Sequence, residues 1–174
     1  PKEIKMTLRN TAQKLNDPAT GKEYDVITQG YGRIDILNAI KLQNKPPVAE
    51  IILINEDLGK IDIIGTAKWE GDGSYTLYYG EGERPENWIE ITSSSSPVEN
   101  GLILKNFDSS IMQEGINRIK LIVKTENQKS EDNNLVYINN IEITSPLSED
   151  TYRIGNIIEI FSTIKYDTYD YSIS

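Results

Sequence analysis

The stretch from Asn117 to Lys124, which reads NRIKLIVK, decides the fold. Apolar side chains recur there at every second position and point one way, while basic side chains point the other way. The two sets are Ile119, Leu121 and Val123 on one face and Arg118, Lys120 and Lys124 on the opposite face. Only Ile122 interrupts the polar face. A period of two predicts a β-strand that packs one face on a core.

Six further segments have the same strand-like pattern and are separated by turn residues. They are Val48–Ile54, Lys60–Trp69, Ser74–Tyr79, Asn87–Thr92, Gly101–Phe107 and Leu135–Ile143. The last of them is expected after a polar turn at 127–134. Seven short strands separated by turns are typical of an immunoglobulin-like or fibronectin-type β-sandwich. We therefore expect a mainly β fold with one such module at residues 46–140.

Residues 1–45 have a helical period instead, and they predict two short helices. The first is expected over 2–15, with Pro1 at the first helical position, and the second over 34–43. The apolar residues are Ile4, Leu8, Thr11, Ala12 and Leu15 in the first helix and Ile36, Ala39 and Ile40 in the second. The glycines at 29–32 allow a sharp turn between them. We expect both apolar stripes to dock on the sandwich or on another chain.

The charge of the chain is distributed unevenly. The net charge is -9, yet residues 1–45 hold eight Lys or Arg against five Asp or Glu, whereas residues 46–174 hold ten against twenty-two. This step places a domain boundary near Pro46-Pro47. An acidic surface repels phosphate groups, so nucleic acid is not expected as a partner. No apolar run reaches the roughly 20 residues that a membrane-spanning helix needs.

The absence of His and Cys from the sequence excludes several kinds of site. Without His there is no Ser-His-Asp triad, and without Cys there is neither a disulfide nor a cysteine-bound zinc ion. Two acidic turns offer carboxylates to calcium, which prefers several oxygen ligands. They contain Glu70, Asp72 and Gly73 in one turn and Glu126, Glu131 and Asp132 in the other. Solvated acidic hairpins are the preferred interpretation of both turns, so no cofactor is expected, with calcium as the alternative.

An internal repeat extends beyond the first module. The stretch IDIIGTAK at 61–68 resembles IEIFSTIK at 158–165, at a spacing of 97 residues. Trp69 then falls opposite Tyr166, and the triplet at 75–77 falls opposite Tyr171-Ser172-Ile173. A spacing of one sandwich indicates tandem modules. Residues 141–174 are therefore expected to begin a second, truncated module that the natural protein continues.

Three stretches of the basic segment together carry a family resemblance. They are PKEIK with LRNTA within 1–12, QGYGRID at 29–35 and ILNAI at 36–40. In this order and at this spacing they resemble the last helices of the catalytic domain of subtilisin-like serine peptidases. In that family the nucleophilic Ser, the Asp and the His lie upstream of these helices. The resemblance implies that no residue of this chain is catalytic and that the remainder of a parent peptidase is its partner.

The first module resembles immunoglobulin-like modules that follow the catalytic domain in some large secreted subtilases. The stretch YTLYYGEG at 75–82, followed by Pro85 and Trp88, carries this likeness. It implies an extracellular or cell-surface location. The chain would then be a non-catalytic C-terminal fragment of a secreted endopeptidase that gives structural support, spacing, or binding of a substrate or surface.

Aromatic residues near the same motif are the candidate binding residues. Trp88, Tyr78 and Tyr79, together with Trp69, would form a platform that stacks on sugar rings, although aromatic residues in strands also pack in cores. Two other functions therefore stay open. One is a glycan- or protein-binding module with an unrelated helical lead-in at 1–45. The other is a structural spacer of a cell-surface protein that has no ligand.

Overall fold

Two antiparallel sheets that share one apolar core form the main body of the protein in the computed structural model. The structure describes residues 2–57, 59–146, 150–155 and 157–164. Three short helices precede the sheets, and a small two-stranded ribbon follows them. The mainly β fold expected from the sequence is confirmed.

In the described residues the α-helices all lie within the first 41 positions, and one 3-10 helix lies further along the chain at Ser109–Ile111. The α-helices are α1 (Lys2–Thr11), α2 (Val26–Gln29) and α3 (Ile36–Lys41). Asp25 caps α2 by accepting a hydrogen bond from the backbone N–H of Thr28, and Asp35 caps α3 in the same way from Asn38. Such caps satisfy backbone donors that the first helical turn leaves open. Both boundaries are therefore fixed by local side-chain chemistry.

Seven strands build the two main sheets. The first sheet has the order β1-β2-β5, with β1 (Val48–Asp57), β2 (Lys60–Lys68) and β5 (Val98–Asp108). The second sheet has the order β4-β3-β6-β7, with β3 (Gly73–Glu81), β4 (Ile89–Ser94), β6 (Gly115–Thr125) and β7 (Lys129–Ile138). All neighbouring strands are antiparallel.

The stretch that decides the fold forms β6, an inner strand of the second sheet. Ile119, Leu121 and Val123 are fully buried, and they lie opposite Tyr79, Leu77 and Tyr75 of β3 in the strand register. Ile61 and Ile63 of β2 are equally buried on the first sheet. Burial of large aliphatic side chains stabilises a fold by about 1.5–3 kcal/mol each. The core is thus built from the alternating apolar positions that the sequence indicates.

The second sheet departs from the expected strand boundaries at its edge. The turn predicted at 127–134 is mostly strand, because β7 already begins at Lys129, and the predicted strand Leu135–Ile143 is wrong. Its residues are divided between the end of β7 and a new strand, β8 (Ile141–Ser145). Because β7 contains many polar residues, its sequence lacks the apolar alternation that predicts a strand. Ser130 and Asp132 are nevertheless buried in the fold.

The helices are shorter than expected, and their apolar stripes do not dock on the sandwich. The helix expected over 2–15 ends at Thr11, and the one expected over 34–43 covers Ile36–Lys41. Ile4 is 65% exposed, Ile36 64% and Ile40 77%. The expectation that these stripes pack on the sandwich is therefore wrong, and the alternative, that they pack on another chain, stays a prediction. The side of α1 that meets the sandwich is its basic side, and Met6 is the one fully buried residue of the three α-helices described.

The final ribbon pairs β8 with β9 (Phe161–Ile164) in an antiparallel arrangement. The strand β9 lies inside the stretch at 158–165 that resembles residues 61–68 of β2. Several apolar residues before and within the ribbon are exposed, among them Ile154, Ile157 and Ile160. The expected counterparts at Lys165, Tyr166 and 171–173 lie outside the described residues, as does Pro1.

Candidate functional site

The predicted aromatic platform is only partly assembled. The Nζ atom of Lys120 lies 3.5 Å from the centre of the Trp88 ring and 5.6 Å from the centre of the Tyr78 ring. Both rings are half-buried. Cation–π attraction holds a lysine in this position, and partial burial lowers the pKa of Lys120. The two rings therefore already share an intramolecular partner, and a sugar would compete with Lys120 for them.

The structure places Tyr79 away from the other two aromatic residues. Its ring is buried in the core, 6.5 Å from the ring centre of Phe107, and its hydroxyl donates to the Ile111 carbonyl oxygen at 3.4 Å. Trp69 also packs against the core cluster. The interpretation as core packing thus describes Tyr79 and Trp69 better than a binding platform does.

The glycine and proline of the aromatic motif have a packing role. A Cβ atom at Gly80 would lie 2.4 Å from the Pro85 Cβ and 2.8 Å from the Asn87 carbonyl oxygen. The loop after β3 therefore folds back over Gly80 and carries Trp88 onto Lys120. This close approach explains why the motif has a glycine before the loop and a proline within it.

The two acidic turns place their carboxylates in different surroundings. Within the described ranges, no group of three or more acidic residues is arranged to hold a metal ion. Glu70 and Asp72 do line a surface groove of about 500 Å³ together with Glu126. Glu70 is highly exposed and lies 3.8 Å from the Lys45 ammonium. Asp132, which the sequence placed in the second acidic turn, lies in β7, where it is buried away from this groove and has other partners.

Asp132 is the central residue of a polar cluster where the helices meet the sandwich. One carboxylate oxygen accepts hydrogen bonds from Arg9 (3.0 Å) and from the Tyr31 hydroxyl (2.9 Å). The other oxygen accepts from the backbone N–H of Ile51 in β1, at 2.9 Å. One side chain of β7 therefore binds α1, the turn after α2 and the edge of the opposite sheet.

The surroundings of Asp132 keep the cluster compact. The Arg9 guanidinium carbon lies 4.0 Å from the centre of the Tyr31 ring, which is a cation–π distance. Burial raises the pKa of the Tyr31 hydroxyl, and the neighbouring Asp132 carboxylate raises it further. Tyr31 therefore remains a hydrogen-bond donor across the physiological pH range.

A second carboxylate, Glu50 of β1, binds the start of α1. It lies 2.8 Å from the Lys2 ammonium and 3.0 Å from that of Lys5. Lys2 also donates to Thr66 at 2.9 Å and to Asn100 at 2.5 Å. The hydrogen bond from Lys2 holds the pKa of Glu50 below its ordinary value, and Lys5 contributes in the same direction. We call the surface formed by Glu50, Asp132 and the adjoining edges of β1 and β7 the seam.

The glycine-rich turn makes close contacts with the chain that follows α1. Gly32 has a φ of 105°, and a Cβ there would lie 2.4 Å from the Gln13 carbonyl oxygen. This contact accompanies a two-way backbone pairing of Gln13 with Arg33. Arg33 and Asp35 both bond to the Gln13 side chain, which ties the turn to the chain after α1.

An apolar groove lies beside the seam, on the side of α1 that faces solvent. It has a volume of about 390 Å³, and its lining includes Ile4, Leu8, Ala12, Tyr31 and Ile34. Ile4, Leu8 and Ala12 of this groove belong to the stripe that the sequence predicts as docked. Its exposure leaves the larger apolar face of the helical segment unpartnered among the described residues.

Sequence reasoning overlooked the seam, although the sequence contains a signal for it. Lys2, Lys5 and Arg9 follow one another at intervals of three and four, which places them on one side of a helix. The contrast between a basic segment and an acidic module pointed to a boundary, but it also describes two surfaces of opposite charge.

The comparisons with known proteins add no family to this description. No protein-family model matches the chain, and a search of curated proteins found no match. Among the helices in the described ranges, none is long and apolar enough to cross a membrane.

Proposed function

We propose that this chain is a non-catalytic C-terminal fragment of a secreted subtilisin-like serine endopeptidase. In this proposal residues 1–45 are the last helices of the catalytic domain. Residues 46–140 are an immunoglobulin-like module, and residues 141–174 begin a second one. The remainder of the parent peptidase is then the natural partner of the helical segment, outside the cell or at its surface.

The exposed apolar face of the helical segment carries this proposal. The segment is anchored to the sandwich by charged and polar side chains, while Ile4, Ile34, Ile36, Leu37 and Ile40 remain 61% to 77% exposed. Exposed apolar groups on this scale mark a surface that another protein element covers. The end of a larger catalytic domain fits, because its last helices would pack their apolar sides on that domain.

The strand order supports the module type. The orders β1-β2-β5 and β4-β3-β6-β7 place the fourth strand beside the third, on the second sheet. In an immunoglobulin constant-type sandwich the fourth strand lies on the first sheet. We therefore favour a fibronectin-type arrangement within the immunoglobulin-like group.

The test is to sequence the coding DNA upstream of Pro1. A Ser in a Gly-Thr-Ser-Met type of motif within a few tens of residues, with His and Asp further upstream, would support the proposal. A stop codon, a signal peptide or another sandwich at that position would contradict it. The isolated chain should show no peptidase activity, and amide hydrolysis that a serine-reactive inhibitor abolishes would be a second contradiction.

A binding module is the second candidate function, because Tyr78 and Trp88 lie together on the outer face of the second sheet. Lys120 between them would have to move for a sugar ring to stack. A glycan array that shows binding by the chain, lost on Trp88→Ala, would favour this function. The spacer alternative predicts no ligand on the same array.

A further inference from the structure

The side of α1 that faces the sandwich and the seam beneath it have opposite charges. Lys2, Lys5 and Arg9 supply three cations from one side of the helix, and Glu50 and Asp132 supply two carboxylates from the sandwich. Four of these five side chains are at most 31% exposed, and only Lys5, at 44%, is more accessible. Such pairs gain more than fully exposed ion pairs, because water and salt screen them less.

The seam exists only when the two sheets have come together. Asp132 belongs to β7, at the edge of the second sheet, yet it accepts a hydrogen bond from Ile51 of the first sheet. The amide of Asn134 also donates to the Ile51 carbonyl oxygen, at 3.4 Å. Arg9 therefore binds a carboxylate that the folded sandwich has already oriented. An isolated β7 strand would not offer this arrangement.

The neighbouring contacts extend the same surface along α1. The side-chain amide of Asn10 donates to the Lys129 carbonyl oxygen at 2.8 Å and to the Ser130 hydroxyl at 2.9 Å. Met6 is fully buried on the same side of the helix. Contacts from Lys2 to Asn10 thus cover most of the helix length, so α1 is fixed in both position and rotation.

The chain between the helices and the sandwich does not provide a loose hinge. Pro46 and Pro47 are both buried, and they lead directly into β1 at Val48. Proline fixes its own φ angle and restricts the residue before it. The region in which a composition step indicated a boundary is therefore packed and conformationally restricted.

We infer that the seam is a docking surface for the basic side of α1 and that the sandwich acts as a fixed buttress for the helical segment. The buttress leaves the apolar side of α1 free to hold a second protein surface. In the parent peptidase that surface would be the catalytic domain, which rests on the proposed function. Structural support, spacing and binding are the three roles considered for the fragment, and this inference favours structural support.

The test is hydrogen–deuterium exchange by mass spectrometry on the whole chain. In the wild type, amides in the α1 region should exchange slowly at low salt and faster in 1 M NaCl, whereas those of β3 and β6 should not change. Asp132→Asn removes the negative charge that pairs with Arg9. It also places a side-chain NH₂ group, itself a hydrogen-bond donor, beside the donors of Arg9, Tyr31 and Ile51. We expect it to raise exchange in α1 by about tenfold or more.

A charge exchange provides the matched control for Glu50. The variant Glu50→Lys should loosen α1, because it places three ammonium groups together. Combining Glu50→Lys with Lys2→Glu and Lys5→Glu restores opposite charges and should return much of the protection. Recovery in the triple variant distinguishes charge recognition from a general loss of stability.

Two results would overturn the inference. One is exchange in wild-type α1 as fast as in an unstructured peptide, and the other is protection that neither salt nor any of these variants changes. The outcome is independent of the parent's identity. If α1 responds as expected but the upstream DNA encodes no peptidase, the docking stands and the proposed function fails.

Discussion

The helical segment and the sandwich use the same types of residue in opposite ways. In the sandwich, large aliphatic residues such as Leu77 and Leu121 are fully buried and charged residues are mostly at the surface. In the helical segment, Leu37 and Ile40 are exposed, while Arg9 and Lys2 make the contacts to the rest of the fold. The sandwich is therefore stabilised mainly by its own core, whereas the helical segment depends on polar contacts to a neighbour.

The largest expected difference between the two regions concerns their aliphatic residues. Leu121→Ala leaves a cavity in the sandwich core and should lower the free energy of unfolding by about 2–5 kcal/mol. Ile40→Ala removes an exposed side chain from α3 and should change the free energy of unfolding by less than about 0.5 kcal/mol. Chemical denaturation followed by circular dichroism measures both. A large loss from Ile40→Ala would mean that α3 packs on something in solution.

Backbone strain in the helical segment should give the next largest effect. Gly32→Ala forces a Cβ against the Gln13 carbonyl oxygen at a positive φ. We expect a local cost of about 1–3 kcal/mol, seen as faster amide exchange at Gln13 and Arg33 with little change in β6. Gly21→Ala is the control, because Gly21 has a positive φ but no atom near the added Cβ. Equal effects of the two variants would show that the close contact is unimportant.

The sequence predicts the strand β6 well and the strand β7 poorly. The period of two at 117–124 identified the central strand, because alternation is a local property that burial of one face imposes. The same rule failed at β7, where Ser130 and Asp132 are polar and yet buried. Their partners, Asn10 and Arg9, lie more than a hundred residues away, so no local pattern could reveal them.

Acidification should weaken the attachment of the helical segment while the apolar core of the sandwich remains. The pKa of Glu50 is lowered in the folded chain, so its contribution to stability is present above its ordinary pKa of 4.5. That contribution is lost as the pH falls through the lower, folded value. Amide exchange in α1, corrected for the intrinsic effect of pH, should therefore rise below about pH 4.5.

Glu50→Gln is the control for this pH dependence. It removes the titrating group, so α1 should be less protected at neutral pH and should respond less to acid. The groups around Glu50 are Lys2, Lys5, Thr66 and Asn100, and the variant leaves all four in place. An unchanged acid response in the variant would assign the effect to other carboxylates.

The smallest expected effect lies on the outer face of the sandwich. Lys120→Met keeps the length of the side chain but removes the charge that lies over Trp88. The loss of cation–π attraction should cost about 0.5–1 kcal/mol in chemical denaturation. If the variant is as stable as the wild type and gains glycan binding, the rings form a site that Lys120 blocks.

The candidate site was predicted only in part. Trp88 and Tyr78, which belong to one motif, both lie near the Lys120 ammonium, and their binding of a ligand stays a prediction. Tyr79 follows Tyr78 directly, so in a strand its side chain must point to the opposite face, into the core. The apolar stripe of α1 also misled the prediction, since a stripe normally marks the packed side of a helix.

The long separation between Arg9 and Asp132 determines an order of events during synthesis. The two residues are 123 positions apart, and α1 leaves the ribosome well before β7 has been made. At 5–20 residues per second the helix waits about 6–25 s for its partner carboxylate. During that interval α2, α3 and the strands β1 to β6 emerge, so Glu50 becomes available to Lys2 and Lys5 before Asp132 becomes available to Arg9.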